Sequence, residues 1–291
     1  MLFAIGAGQR VVGVGHECDW PPEAMNRPRV TRTLIDSQQR SGAIDEQVRE
    51  RFAGGLPLYE VDAELLAGLA PDLIVTQAQC DVCAVRYADV VSIVERSPAL
   101  RGTKLVALAP RTLPDIFQDI ECVGEAAGLA DAAHRYVAGL RDRTQAVQSR
   151  VQRLRRPRTI CIEWVEPLML AANWTPTLIE LAGGEAGLVQ ANAHSRYHAW
   201  EEIVRYDPEF IFLSPCGFDL PRSLAEAEQL RRLPGWNELA ATRARQVFVI
   251  DGNAYLNRSG PRIVDSLEIL AHILHPQACE AVCGGWQRLE R

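Results

Sequence analysis

Five short segments concentrate the residues whose types and spacing could do chemistry. They are His16-Glu17-Cys18-Asp19-Trp20, the stretch Gln77 to Cys83, Trp164-Val165-Glu166, Ser214-Pro215-Cys216-Gly217-Phe218, and Asp251-Gly252-Asn253-Ala254-Tyr255-Leu256-Asn257-Arg258. Cys80-x-x-Cys83 has half of a zinc-site spacing, and His16, Cys18 and Cys216 are the residue types that would complete it. A second Cys-x-x-Cys is missing, so the pair also fits a helix-starting turn with half-buried thiols. Thioredoxin-like chemistry is set aside because no such unit follows the motif in the expected order. Cys216 beside His194 or His198 would be a thiol nucleophile, but there is no Gly-x-Ser-x-Gly elbow. Gly6-Ala7-Gly8 lacks the third glycine of a dinucleotide fingerprint, and no P-loop motif occurs. Glu166 and the pair Glu201-Glu202 read as solvated charges. Trp236 is expected in the core. Trp20, Trp164 and Trp200 differ because they adjoin the segments above, and large flat ligands bind through such rings plus a few polar groups.

The elements that position these segments alternate between short apolar runs and helical patterns. Strands are expected at 11–15, 71–76, 104–108, 159–164, 208–213 and 246–250, with an amphipathic helix at 63–69. Strands separated by helices imply parallel α/β sheets, in which ligands lie beyond the carboxyl ends of the strands. All five segments follow such strands. Leu2, Phe3 and Ile5 before Gly6 read as the last turn of a helix and its glycine cap. Leu129, Ala133, Tyr136, Leu140, Thr144, Val147, Val151 and Leu154 are spaced three or four apart, a narrow apolar seam on one long helix that stops before Pro157. The halves also echo one another. Leu65 to Val75 and Glu202 to Phe212 both run helix, Pro-acid pair, strand, 137 residues apart, and the strand at Leu105 matches that at Val247. Two matches in order predict two similar lobes, with the strand-end loops lining a cleft between them.

Composition bounds the partners. The 291 residues carry 31 Lys plus Arg against 37 Asp plus Glu, a net charge of −6, which gives no electrostatic case for nucleic acid. No apolar run is long enough for direct membrane insertion. Met1 to Gly6 has no basic n-region or apolar core of signal-peptide length, which predicts a cytoplasmic chain, or a periplasmic one if the natural start lies upstream. The eight cysteines are therefore expected as thiols, with Cys18, Cys80, Cys83 and Cys216 in the strand-end loops and Cys122, Cys161, Cys279 and Cys283 structural or peripheral.

The order of these motifs resembles the cobalamin and iron-siderophore type of periplasmic substrate-binding proteins, and most the cobalamin-binding branch. The resemblance covers nearly all of residues 1–275 and rests on Leu181-Ala182-Gly183-Gly184, Ser259-Gly260-Pro261-Arg262, and Val11 to Pro22 with Trp20 as the aromatic before proline. By the same matching, Ala254 to Arg258 falls on the family's ligand-contacting loop, and Glu166 to Trp174 on a cleft segment. Members open with a strand and helix of which only Leu2 to Ile5 would be present here. Their further cleft tryptophans in the first lobe are absent, and His16-Glu17-Cys18-Asp19 and Cys80-x-x-Cys83 occupy that lobe instead.

The resemblance implies two similar lobes, each a parallel-sheet αβα sandwich, joined by a single long helix. The first lobe is expected over 1–128, the connecting helix over 129–156, the second lobe over 157–276, and a tail over 277–291. The implied function is binding, without catalytic residues, of cobalamin or a related corrinoid as ligand in the inter-lobe cleft, for ABC-type uptake or intracellular handling. The ligand set is Trp20, Trp164, Trp174, Trp200, Phe218, Ala254, Tyr255, Leu256, Asn257 and Arg258. The alternatives are a haem- or siderophore-like metal-chelate carrier using His16, Cys80, Cys83 and Cys216, and a thiol- or corrinoid-dependent enzyme. A monomer is expected, with an ABC permease as partner through exposed acids such as Glu201 or Glu202.

Overall fold

A computed structural model describes residues 1–79, 82, 84–282 and 284–290. The chain divides into two compact units: Met1–Pro110 with Phe117–Ala138, and Arg111–Ile116 with Gly139–Arg291.

The first unit begins with a turn that matches the expected helix end. Gly6 has φ of 92°, and the N–H groups of Gly6 and Ala7 reach back to Phe3 O and Leu2 O, the two bonds of a glycine-capped helix terminus. The strand expected at 11–15 is reduced to one bridge, Val14 with Arg29. Val14 donates to Pro28 O and accepts from Val30, but Pro28 has no N–H to extend a ladder. An antiparallel pair follows, β1 (Thr31–Thr33) against β2 (Tyr59–Val61), with α1 (Ser41–Ala53) between them in sequence. Next, α2 (Ala63–Leu69) leads into β3 (Leu73–Gln77). After α3 (Tyr87–Arg96), β4 (Lys104–Leu108) pairs parallel to β3 over all five residues. The division between units falls inside both α4 (Leu113–Ala126) and the 22-residue α5 (Ala130–Val151). Gly124 lets α4 and α5 approach, since a Cβ there would lie 2.2 Å from Ala133 Cβ.

Within the helix expected over 129–156, Ala130–Val151 form α5, and the apolar seam is buried at Ala133, Leu140, Val147 and Val151, while Leu154 is exposed beyond its end.

The second unit is a six-stranded sheet. Its strands are β5 (Thr159–Trp164), β6 (Met169–Leu170), β7 (Arg196–Tyr197), β8 (Phe210–Leu213), β9 (Val247–Ile250) and β10 (Trp286–Arg288), in the order β10-β9-β8-β5-β6-β7. Its helices are α6 (Thr175–Leu181), α7 (Trp200–Tyr206), α8 (Leu220–Leu230), the short α9 (Ala240–Arg243) and α10 (Ile263–Leu274). Only the central three strands are parallel; β6, β7 and β10 are antiparallel. The sheet is thus mixed rather than wholly parallel, because two-residue strands on one edge fold back directly and the chain end folds back on the other. Residues 277–291, expected as a tail, supply β10. Ile160, Ile162, Ile211, Leu213, Val247 and Val249 bury into one core with Ile203, Leu230 and Trp236. Arg143 of α5 grips Glu268 of α10 with two hydrogen bonds of 2.9 and 2.7 Å and also pairs with Asp265, which raises the guanidinium above its ordinary pKa.

The internal echo is visible in the backbone. Helices α2 and α7 each have seven residues and each end on a non-glycine left-handed residue, Ala70 at φ 41° and Asp207 at φ 48°. A proline follows each, where a helix cannot continue. Then come β3 and β8, each with its parallel neighbour β4 or β9.

Candidate functional site

In the second unit, the carboxyl ends of β5, β8 and β9 meet, and backbone bonds join the loops that leave them. Ser214 and Cys216 donate to Ile162 O and Glu163 O at 2.9 and 3.1 Å, and Asn253 donates to Phe218 O at 3.0 Å. Asn257 Nδ2 reaches Ser214 O at 2.8 Å and Gly252 O at 3.2 Å. Gly252 has no alternative, since a Cβ there would lie 2.0 Å from Pro215 O. Asp251 turns the chain by accepting the N–H groups of Asn253 and Ala254 at 3.0 and 2.8 Å. Burial nevertheless pushes its carboxyl above the ordinary value, with Asp219 adding, against those two bonds and Arg262.

On this frame Trp164 and Phe218 form an edge-to-face pair with centroids 5.4 Å apart. Phe218 is buried and covered by Arg222, 3.7 Å from its centroid. Tyr255 is half-buried beside Arg262, and Arg258 hydrogen-bonds Asn253. Leu256 is buried with φ of 60°, and its N–H is held by Ser266 Oγ at 3.0 Å.

Two further tryptophans of the expected ligand set have their indole N–H groups engaged. Trp174 is 5% exposed and donates to Leu256 O at 2.6 Å, so it supports the ligand loop from within. Trp200 donates to Pro234 O at 2.6 Å, stacks on Trp236 and packs on the core. Cys216 is exposed, whereas burial pushes the Cys161 thiol far up, with Glu163 adding.

The first unit holds its loop differently. His16 N–H donates to Thr31 Oγ1 at 2.9 Å, and Nδ1 meets the same oxygen at 2.7 Å. The imidazole lies 5.1 Å from the Tyr59 ring, and its Nε2 is buried with no hydrogen-bond partner among the described residues. Burial lowers the imidazole pKa; Glu17 opposes this and Arg29 adds to it. Arg29 also bonds Gly15 O and His16 O, and Tyr59 Oη donates to Val82 O at 2.8 Å. Cys18 is half-buried and Trp20 is 55% exposed. Cys80 and Cys83 lie outside the described residues. Among the described residues no group of three or more His, Cys, Asp or Glu could hold a metal, and none of the helices could span a membrane.

The sequence pattern of the family described as periplasmic binding protein matches residues 1–254. The chain belongs to that family. This periplasmic binding protein is 20% identical over 285 residues to an uncharacterized ABC transporter substrate-binding lipoprotein, YvrC of Bacillus subtilis, covering 95% of this chain and 76% of the relative. Its fold is similar to that of the periplasmic vitamin B12 binding protein BtuF of Vibrio cholerae, with a TM-score of 0.67 and 20% identity over 94% of this chain and 91% of that one. It is equally similar to the periplasmic heme-binding protein RhuT of Roseiflexus sp. RS-1, with a TM-score of 0.69 and 22% identity over 95% and 94%. The family is one of solute-binding proteins serving ABC transport, so this periplasmic binding protein takes a small-molecule substrate and a transporter partner and is not an enzyme. The alternative of a thiol- or corrinoid-dependent enzyme falls with that assignment.

Reasoning from sequence missed Thr31 and Tyr59 as the supports of His16, and Ser214, Asp251 and Gly252 as the ties between loops. The Asp251-Gly252-Asn253 run carried a turn signal that would have found the last two.

Proposed function

We propose that this periplasmic binding protein binds cobalamin or a related corrinoid on the strand-end platform of its second unit. The observation that carries the reading is the Trp164–Phe218 pair set beside the loop Ala254 to Arg258 on a backbone-tied frame. A flat macrocycle packs on the Trp164 ring, which the buried Phe218 braces edge-on from beneath, and Tyr255, Asn257 and Arg258 bond its polar side groups. The likeness to a vitamin B12 binding protein supports the reading. Titrating the purified protein with cyanocobalamin, followed by visible absorbance and tryptophan quenching, tests it. Micromolar or tighter binding weakened by Trp164→Ala is expected, and no binding of any corrinoid sinks it.

A haem-like chelate is the second reading, favoured by His16. Its Nδ1 is fixed by Thr31 and its Nε2 has no partner among the described residues, which is how an imidazole is prepared as a metal ligand. The likeness to a heme-binding protein supports it. Titration with haemin distinguishes the two, because a Soret band displaced by His16→Ala belongs to this reading alone. Elemental analysis of the purified chain reads directly whether a metal is held without a macrocycle.

The permease contact falls to Glu201 rather than Glu202. Glu202 is held by His198 Nδ1 at 2.8 Å, which keeps its carboxyl below the usual range. The protein works as a monomer and outside the cytoplasm; the lipoprotein description of its relative supports the second point.

A further inference from the structure

The last strand reaches the candidate ligand loop, and at the contact stands a glycine. Strand β10 pairs Trp286 with Ile250, Gln287 with Val249 and Arg288 with Phe248, so it lies along the strand from which the ligand loop departs. Immediately before it, Gly285 O accepts the N–H of Asp251, the first residue of that loop, at 2.8 Å. A Cβ at Gly285 would lie 2.2 Å from Tyr255 Cε2 and 3.0 Å from Cδ2 and Cζ. The Tyr255 ring therefore rests on bare backbone of the chain's end. Gly285 has φ of 76°, a conformation that also favours glycine. Trp286 anchors the contact from outside, 5.9 Å from Phe248 and 5.8 Å from His272 by ring centroids, with its indole N–H on Val282 O at 3.2 Å.

We propose that Gly285, held by β10, is a positioning residue for Tyr255 and thereby tunes the ligand-facing surface of the second unit; this rests on the reading that the loop Ala254 to Arg258 meets the ligand. The geometry gives the contact a direction. Apart from the backbone strain at its positive φ, a side chain at 285 meets the edge of an aromatic ring rather than fixed backbone, so it is the ring that moves. Residue 285 thus acts on the ligand through Tyr255, not by touching it.

The test is a double-mutant cycle of Gly285→Ala and Tyr255→Ala, read by cyanocobalamin and haemin titration and by thermal melting of the full chain. Backbone strain at 285 does not depend on residue 255 and cancels in the cycle, whereas the ring contact does not cancel. Gly285→Ala is expected to weaken binding about tenfold in the natural background and less than about twofold when Tyr255 is already alanine. Equal weakening in both backgrounds, or none in either, overturns the proposal. If Gly285→Ala does not fold, Trp286→Ala takes its place, with the same dependence on Tyr255 expected and its absence counting against the proposal. If neither macrocycle binds the natural protein, the ligand reading fails by itself. The positioning claim is then read from melting, where a Gly285→Ala loss that is not relieved by Tyr255→Ala refutes it.

Discussion

The two candidate loops are built on opposite principles. In the second unit, the loops after β5, β8 and β9 are joined chiefly through backbone groups, with buried Gly252, Leu256 and Trp174 filling the space beneath. In the first unit, the loop after Val14 hangs on side chains: Thr31 on His16, and Arg29 on two carbonyls. Backbone ties leave the side chains above them free to vary with the ligand. Side-chain ties make the imidazole itself part of the support, so that its position and its protonation are coupled.

That contrast predicts where damage is greatest. Trp174→Ala empties a buried site and strands Leu256 O, at a cost of about 4 kcal/mol. Urea denaturation reads this as a lowered midpoint with unchanged slope. Gly252→Ala forces a methyl against Pro215 O, and overpacking against backbone costs about 3 kcal/mol. Both substitutions strike the frame, so both should loosen the whole loop set, and tryptophan fluorescence at Trp164 should redshift in each. A Gly252→Ala protein as stable as the natural one would break the claim that the second unit's loops are fixed by their backbones.

In the first unit the expected loss is smaller. Thr31→Val keeps shape but removes the acceptor of His16 N–H and the partner of Nδ1, a cost of about 1 kcal/mol. Its larger consequence is freedom for the imidazole. If His16 ligates an iron macrocycle, haemin binding to Thr31→Val should show a broadened Soret band, while cyanocobalamin binding stays unchanged. An unaltered Soret band would show that Thr31 does not orient the ring.

The sequence made much of this legible, for physical reasons that differ by element. β4 and β5 appear with the bounds their apolar runs predict, and β5, buried inside its sheet, declares itself by composition alone. The long seam of α5 and the Pro-acid echo at Pro71 and Pro208 are local patterns too. Val11 to Gly15 failed as a strand because its fate was decided by Pro28, on a neighbouring segment. β10 was missed because three residues after a glycine pair carry no periodicity of their own, and their strand character comes from β9. Trp174 and Trp200 were indistinguishable from Trp164 in sequence. Only the carbonyls that their indoles meet, at Leu256 and Pro234, separate tethered supports from an available face.

Acidity gives the finest test, because the two loops respond with opposite sign. Burial holds His16 below its ordinary value of 6.5, so its neutral form is favoured in the folded state. Its contribution to stability is present above that value and is lost as pH falls through the folded pKa. Asp251 is held above its ordinary value of 3.8, so its contribution is present below that value and is lost as pH rises through the folded pKa. His16→Asn should therefore flatten the decline in urea midpoint as pH falls below about 6.5. Asparagine retains a polar atom near the Nδ1 position, so the Thr31 contact survives the change. Asp251→Asn, which can still accept from Asn253 and Ala254, should leave that window untouched and instead remove a slope of opposite sign in more acidic solution. Like-signed changes in the two variants would mean that the loops share one electrostatic response, and that the contrast between a backbone-tied and a side-chain-tied loop does not extend to their charges.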